Sequence, residues 1–292
     1  MSLRLSYGTS GFADHSLPNA LSVIAELGYD GVALTLDHHH LDPFAPDAAA
    51  RVDATAGLLA KHGLAVAIET GARYLLDPWH KHEPTLVSTD GQERRLELLH
   101  RAIDIAGDLG TDIVHMWSGG VPEGTSVEVA WDRLLTGMAD LLPHAEEAGV
   151  RLAFEPEPGM LVERLAEVQE LRRRLGSPEA LRMTVDVGHA ICNEDAPPQD
   201  ILREVAEDVV HIQIEDMRRG VHEHLEFGEG EIDLPAVMRS LIDIEYTGLV
   251  SVELGRHSAT VPTVAARSID ALRAAIATAS SRDTHHAPEE LP

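Results

Sequence analysis

The sequence predicts a closed (β/α)8 barrel in a single domain, and three observations carry the prediction. Short, nearly uniformly apolar runs alternate with stretches of helical period from residue 3 to residue 277, giving eight strand–helix pairs. The runs lack the polar alternation of a sheet with one wet face, as expected where helices cover the outside of a parallel sheet. A length of 292 residues suits one such barrel. An open, doubly wound sheet is the rival, but no Gly-x-Gly-x-x-Gly follows the first strand, and eight units favour closure.

Leu3–Tyr7 is the first strand, ended by Gly8 and Gly11. Pro18 and Asn19 open a helix carried by Ala20, Val23, Ile24 and Leu27 and stopped by Gly28. Gly31–Leu36 is the second strand, followed by His38, His39 and His40, and a helix runs from Ala48 to His62. Leu64–Ile68, the third strand, delivers Glu69, and a long connection from Ala72 to Asp90 follows; such a length without periodicity marks an active-site loop. Gln92–Leu109 is helical, and Asp112–Met116 is the fourth strand, leading into Trp117. Helix Val129–Ala148, strand Val150–Phe154 and helix Leu161–Leu175 come next, then strand Leu181–Val187 and a shorter helix, Pro197–Val205. Val209–Ile214 is the seventh strand, with a Gly- and His-rich loop over Met217–Glu231. Helix Leu234–Ile242, strand Leu249–Leu254 and helix Val261–Ala277 complete the barrel, so the domain spans 1–278. Residues 279–292 lack an apolar pattern and are expected to be a disordered tail.

Hydrophobic residues make up 44% of the chain but aromatics only 4%, so the core is expected to be aliphatic. The 49 acidic against 23 basic residues leave a formal charge of −26, which repels a nucleic-acid backbone. The densest basic run, Arg172–Arg174, suits the C-terminal end of a helix and is too small to reverse that field. A single cysteine, Cys192, permits no intramolecular disulfide, and neither a leader pattern nor a membrane-length apolar run is present. A cytoplasmic protein without nucleic-acid or membrane partners is expected; a homo-oligomer is compatible with the sequence.

Four strands end in ligand-type side chains, which are costly to bury unless paired or coordinated. They are Glu155 in A-F-E-P-E-P, Asp186 in T-V-D-V-G-H, His211 in V-V-H-I-Q-I-E-D and Glu253 in V-S-V-E-L. A barrel turns all its strand ends to one face, so these four are expected to meet around a divalent metal: Mn²⁺ or Zn²⁺ foremost, with Mg²⁺ and Co²⁺ as alternatives. Glu157 competes with Glu155, because a strand's period of two faces both inward. Glu215 or Asp216 is placed to orient His211 or to bind polar substrate groups. His115, His189 and His224 lie near the same face as substrate hydrogen-bonders or further ligands, and Trp79 and Trp117 are candidates to wall a sugar. Gly228 and Gly230, around Glu229, read as a tight turn.

With T-V-D-V-G-H (184–189), V-H-I-Q-I-E-D (210–216), H-E-H-L-E-F-G-E-G-E-I-D (222–233) and S-V-E-L (251–254), the chain resembles the xylose isomerase-like TIM barrels. That superfamily includes sugar-phosphate isomerases and epimerases, inosose-processing enzymes and endonuclease IV-type enzymes. The resemblance implies one catalytic metal on Glu155, Asp186, His211 and Glu253. It also implies proton transfer by Glu155 and Glu253, with substrate contacts from His189 and Arg218. Likeness to the multi-zinc branch implies a second metal on Glu69, His115, His189, His222 and His224.

The function expected is therefore an isomerase or epimerase acting on a sugar, inositol-like ketone or related polyol. Proton abstraction beside a metal-bound carbonyl would give an enediolate, with Glu155 and Glu253 on its two sides. His189, Arg218, His115 and Trp117 would hold the substrate. A multi-metal hydrolase (phosphoesterase) or lyase is the alternative enzyme, and a non-catalytic metabolite-binding barrel the alternative outside catalysis. The lack of a phosphate-gripping Gly-rich loop favours an unphosphorylated substrate.

Overall fold

Eight parallel strands close on themselves in the computed structural model, which describes residues 3–281. The barrel strands are β1 (Arg4–Gly8), β2 (Gly31–Thr35), β3 (Ala65–Glu69), β4 (Ile113–Met116), β5 (Arg151–Phe154), β6 (Leu181–Asp186), β7 (Val209–Ile214) and β10 (Leu249–Val252). Each pairs with the next in sequence, and β10 closes the ring between β7 and β1. A separate antiparallel ribbon, β8 (Asp216–Arg218) with β9 (Val221–Leu225), stands above the strand ends. Outside the barrel lie α1 (Leu17–Leu27), α2 (Ala48–His62), α3 (Gln92–Asp108), α4 (Val127–Ala148), α5 (Leu165–Arg174), α6 (Val187–Asn193), α7 (Pro198–Glu204), α8 (Leu234–Asp243) and α9 (Val261–Ser281).

The helices follow local signals. Gly28 and Gly63 take left-handed φ values of 84° and 67° and close α1 and α2 by donating to carbonyls of the last turn. Ser126 caps α4 and Asp233 caps α8 through their side chains. The apolar faces pack on the barrel as one aliphatic core, with Tyr7, Phe12 and Phe154 its largest fully buried side chains. Among the described residues, no helix is long and apolar enough to cross a membrane.

Three differences from the sequence reading matter for the site. The run after Asp186 forms the short helix α6, with His189 in its first turn. The region expected to be loop over Met217–Glu231 contains the β8–β9 ribbon, which carries His222 and His224 over the barrel mouth. Helix α5 begins at Leu165 rather than 161, because Leu161 and Val162 are spent closing the β5 loop, donating to the Gly119 carbonyl and Ser118 Oγ. At the C-terminus α9 continues through residues 279–281, which were expected to belong to the tail; residues 282–292 lie outside the described residues.

The long connection before α3 has no regular structure, yet it is pinned. The buried Arg95 guanidinium donates to the carbonyls of Pro84 (2.9 Å), Thr70 (2.8 Å) and His82. Burial lowers its pKa to about 10. The same guanidinium stacks 4.8 Å from the Trp117 ring, and His82 meets that ring edge-on.

Candidate metal centre and substrate pocket

The strand register decides which side chains share a level inside the barrel. Thr184 pairs with His211, and Asp186 pairs with Gln213, after an irregularity between Met183 and Thr184. Hence Gln213, not His211, is level with the carboxylate at the end of β6. Glu155, Asp186 and Glu253 come together there, with one ligand atom from each lying within 4.8 Å of the others. Gln213 Nε2 donates to Glu253 Oε2 (2.6 Å) and Glu69 Oε1 (3.3 Å), joining β3, β7 and β10 across the cup.

The expectation for His211 does not match this geometry. Its ring sits one inward position deeper, Nε2 3.2 Å from Ser251 Oγ and Nδ1 3.5 Å from Thr184 Oγ1. It borders a different cavity, at the opposite end of the barrel, beside Ala65, Ile113 and Leu249. Burial and the neighbouring His115 push its pKa down to about 3, so it is a neutral core histidine. The apolar run continues through Ile212 and Ile214, so the last inward residue of β7 is two positions on. Asking for the last inward residue, which selects Glu69 on β3, would have found Gln213.

Asp186 has two roles, and they explain the spacing of its motif. Its Oδ1 accepts from the His189 backbone N–H (2.7 Å) as the cap of α6, leaving Oδ2 without a hydrogen bond. The same turn brings the His189 ring beside the carboxylates, with Nδ1 3.1 Å from Glu155 Oε1 and Nε2 3.9 Å from Asp186 Oδ2. Gly188 is required between them, since a Cβ there would stand 2.1 Å from Glu215 Oε1.

Glu155 Oε2 is held by His115 Nε2 at 2.6 Å, and its Oε1 has no hydrogen bond. Burial opposes ionisation of Glu155, yet His115 and His189 outweigh it and hold its pKa below the usual carboxylate range. Glu253 moves the other way: burial raises it well above its ordinary value, and the charges of Glu69, Glu155 and Asp186 add to this against His224. Burial and then Asp186 raise Glu215 likewise, while burial with Glu155 lifts Glu157 to about 7.

The expected second-metal set divides. His189, His222 and His224 approach one another within 4.8 Å, and His224 also joins Asp186 and Glu215. Glu69 and His115 belong to the other side, Glu69 accepting from Thr35 Oγ1 (3.0 Å) and from Gln213. Arg218 does not reach the pocket: it is exposed and donates to the Glu229 carbonyl (2.6 Å) within the ribbon region. Trp117 lines the pocket, whereas Trp79 is 85% exposed and does not. His40 is buried against the carbonyls of Phe12 and His15, both 3.2 Å from Nε2, which makes part of the triple histidine structural.

Asp216 organises the loop over the cup. Its Oδ1 accepts from Ile232 N (2.9 Å) and its Oδ2 from Gly228 N (2.8 Å). Gly228 has φ +95°, and at Gly230 a Cβ would lie 2.3 Å from Asp216 Oδ1 and 2.5 Å from the Met217 carbonyl oxygen. The Gly-Glu-Gly sequence thus answers a positive φ at one position and close packing at the other.

The donor set fits a divalent cation. Glu155 Oε1, Asp186 Oδ2, both Glu215 carboxyl oxygens, both His189 nitrogens and His224 Nδ1 are buried without a hydrogen-bond partner. Buried polar atoms rarely stay unpaired, and so many carboxyl groups around one point need a positive charge. The pocket above them has a volume of about 430 Å³ and is walled by Glu69, His115, Trp117 and Gln213.

The family model for xylose isomerase-like TIM barrels matches residues 21–275. The chain belongs to the xylose isomerase-like TIM barrel family. Within this family it is 25% identical over 264 residues to the fructoselysine 3-epimerase of Shigella flexneri, covering 89% of this chain and 92% of that one. It is 24% identical over 267 residues to an uncharacterised protein of Methanocaldococcus jannaschii, covering 86% and 84%. Among solved structures, an L-ribulose 3-epimerase superposes with a TM-score of 0.80 over the full length of both chains, at 21% identity. This xylose isomerase-like barrel is thus a relative of sugar and polyol epimerases, with side-chain clusters suited to a divalent metal.

Proposed function

We propose that the protein is a metal-dependent isomerase or epimerase that moves a proton beside the carbonyl of a sugar or related polyol. The observation that carries this reading is the gathering of Glu155, Asp186 and Glu253 at one point on the wall of the pocket. One of Glu155 and Glu253 would take the C–H proton as a carboxylate, and the other, once protonated from solvent, would return a proton to the carbon. Glu155 and Glu253 directly follow β5 and β10, which are separated in the barrel by β6 and β7, so they can address different sides of one carbon. Curated relatives named fructoselysine 3-epimerase, L-ribulose-5-phosphate 3-epimerase and 2-oxo-tetronate isomerase support the same class of step.

Glu155, Asp186 and Glu253 would hold the metal, with Gln213 fixing the Glu253 carboxyl. The oxygen-rich set favours Mn²⁺ over Zn²⁺, because the imidazole expected from β7 is replaced by an amide. A bound divalent cation would polarise the substrate carbonyl and steady the negative charge that proton removal creates. His115 keeps Glu155 ionised and aimed. His189 presents ring nitrogens to the substrate's oxygens, and Trp117 offers its face to the apolar side of the carbon chain. The net charge of −26 favours a small molecule over a nucleic acid.

The test is exchange of the substrate C–H with deuterated solvent, followed by NMR over a panel of ketoses and inositol-like ketones with Mn²⁺ present. Glu155→Gln and Glu253→Gln should each slow exchange at least about 100-fold, the usual weight of a placed acid or base. Undiminished exchange in both variants would remove the assignment. A second reading, a multi-metal hydrolase, draws on the His189–His222–His224 and Asp186–Glu215–His224 groups. Metal content separates the two: one tightly held ion supports isomerisation, and two or three support hydrolysis.

A further inference from the structure

The pocket wall is not wholly acidic. Arg73 and Lys81 enter it from the connection after β3, and Arg256 from the segment after β10. The chain has two lysines in all, Lys61 and Lys81, and acidic residues outnumber basic ones 49 to 23. Three cations around one mouth therefore stand against the composition of the whole molecule.

These groups are not consumed by ion pairs. Among the described residues, neither Lys81 nor Arg256 has a hydrogen-bond or salt-bridge partner, and both are exposed at the rim. Arg73 donates to the Ser10 carbonyl, which anchors it without neutralising it. Its Nη2 would lie 3.7 Å from a Cβ built on Gly255, the residue before Arg256. The Lys81 pKa is lowered by partial burial and then by Arg73 and Arg256, which together outweigh the opposing carboxylates Glu157 and Glu253. Ala72 and Arg73 are both held at positive φ (58° and 39°), an unfavourable backbone for non-glycine residues at the point where the chain turns into the pocket.

We propose that the pocket takes a substrate with a fixed negative charge, a phosphate or a carboxylate, held by Lys81, Arg256 and Arg73 while its reacting carbons meet Glu155 and Glu253. A volume of about 430 Å³ accommodates a short sugar chain lying between the carboxylates and the cations. The acidic cup and basic rim then orient such a molecule head to tail, since reversing it would set its anion against the carboxylates. Side chains here do the work of a Gly-rich loop, so the missing loop motif does not decide against a phosphorylated substrate. The proposal rests on the isomerase or epimerase reading for what happens at the cup, but the anion subsite can be read without turnover.

The test is isothermal titration of the metal-loaded full chain with inorganic phosphate and with acetate, at ionic strength matched with chloride. Wild-type protein and the double variant Lys81→Met/Arg256→Met are compared, with Arg256→Lys as the charge-keeping control. The expected result is saturable binding of at least one of the two anions, weakened tenfold or more in the double variant and largely kept in Arg256→Lys. Binding of phosphate alone identifies a phosphate ester, and binding of acetate alone a sugar acid. D-Ribulose 5-phosphate should also bind wild-type protein at least tenfold tighter than D-ribulose if the anion is a phosphate. Absence of saturable binding by either anion overturns the proposal, as does equal binding in the double variant. Both mutated side chains lack partners, and unchanged thermal unfolding checks that the variant folds. Failure of C–H exchange would remove the isomerase reading and leave these titrations standing, and the reverse also holds.

Discussion

Replacing His211 by Gln tests both the placement of that residue and the electrostatics of the barrel interior. The folded-state pKa of His211 is pushed down to about 3, below the ~6.5 of a free imidazole. Between these values the unfolded chain takes up a proton that the folded chain refuses. Stability contributed by the neutral ring is therefore lost as pH falls through 6.5, and the loss is complete near pH 3. The loss grows by ~1.4 kcal/mol for each step of one in pH below 6.5. Wild-type protein should therefore lose about 1.4 kcal/mol at pH 5.5 and about 3 kcal/mol at pH 4.5 from this group alone. His211→Gln cannot pay that penalty, so the stability difference between variant and wild type should move in the variant's favour by those amounts. The offset at pH 8, where Ser251 and Thr184 lose their imidazole partner, is subtracted. Urea unfolding of chelator-treated protein, followed by tryptophan fluorescence at pH 8, 5.5 and 4.5, measures the difference. Metal content after dialysis against Mn²⁺ should be the same in both proteins. A pH-independent stability difference would refute the electrostatic reasoning, and loss of one metal equivalent in the variant would restore His211 as a ligand.

Gly188→Ala forces a Cβ to 2.1 Å from Glu215 Oε1, a fully buried group, and should cost about 2–4 kcal/mol in urea unfolding and weaken metal retention. Metal loading at pH 6 should release at least about one proton per ion, because Glu253 and Glu215 are raised and Glu157 stands at about 7. Calorimetry in two buffers of different ionisation enthalpy reads that number, and a heat independent of buffer would contradict it. Arg95→Met leaves the Pro84, Thr70 and His82 carbonyls without their donor; a loss of about 2–4 kcal/mol and faster proteolysis within 72–90 are expected.

The barrel itself was legible because its signals are local. Aliphatic runs of strand length, helical periodicity and stop signals such as Gly28 and Gly63 act over a few residues, and they recur eight times. Carboxylates at strand ends were legible too: once the strands are parallel and closed, Glu155, Asp186 and Glu253 have to emerge on one face. The Asp186–His189 spacing is likewise a local matter, cap and first turn of one short helix.

Register was not local. The strand period makes Gln213 the last inward residue of β7, but its standing level with Asp186 follows from an irregularity between β6 and β7 that only cross-strand pairing sets. Long-range placement also decided the fate of Arg218, which turns to the Glu229 carbonyl, and of Arg95, whose guanidinium holds a loop distant in sequence. Nor does the sequence show that Arg73 and Lys81 share one pocket with Arg256, because Arg256 follows the last barrel strand and the other two the third. By itself the sequence determined the fold and the ligand-type residues at the strand ends, since both follow from periodicity within short segments. Only the tertiary structure decided which side chains face one another across the cup and which cations join them in one pocket, because those distances arise when strands far apart in the chain are locked side by side.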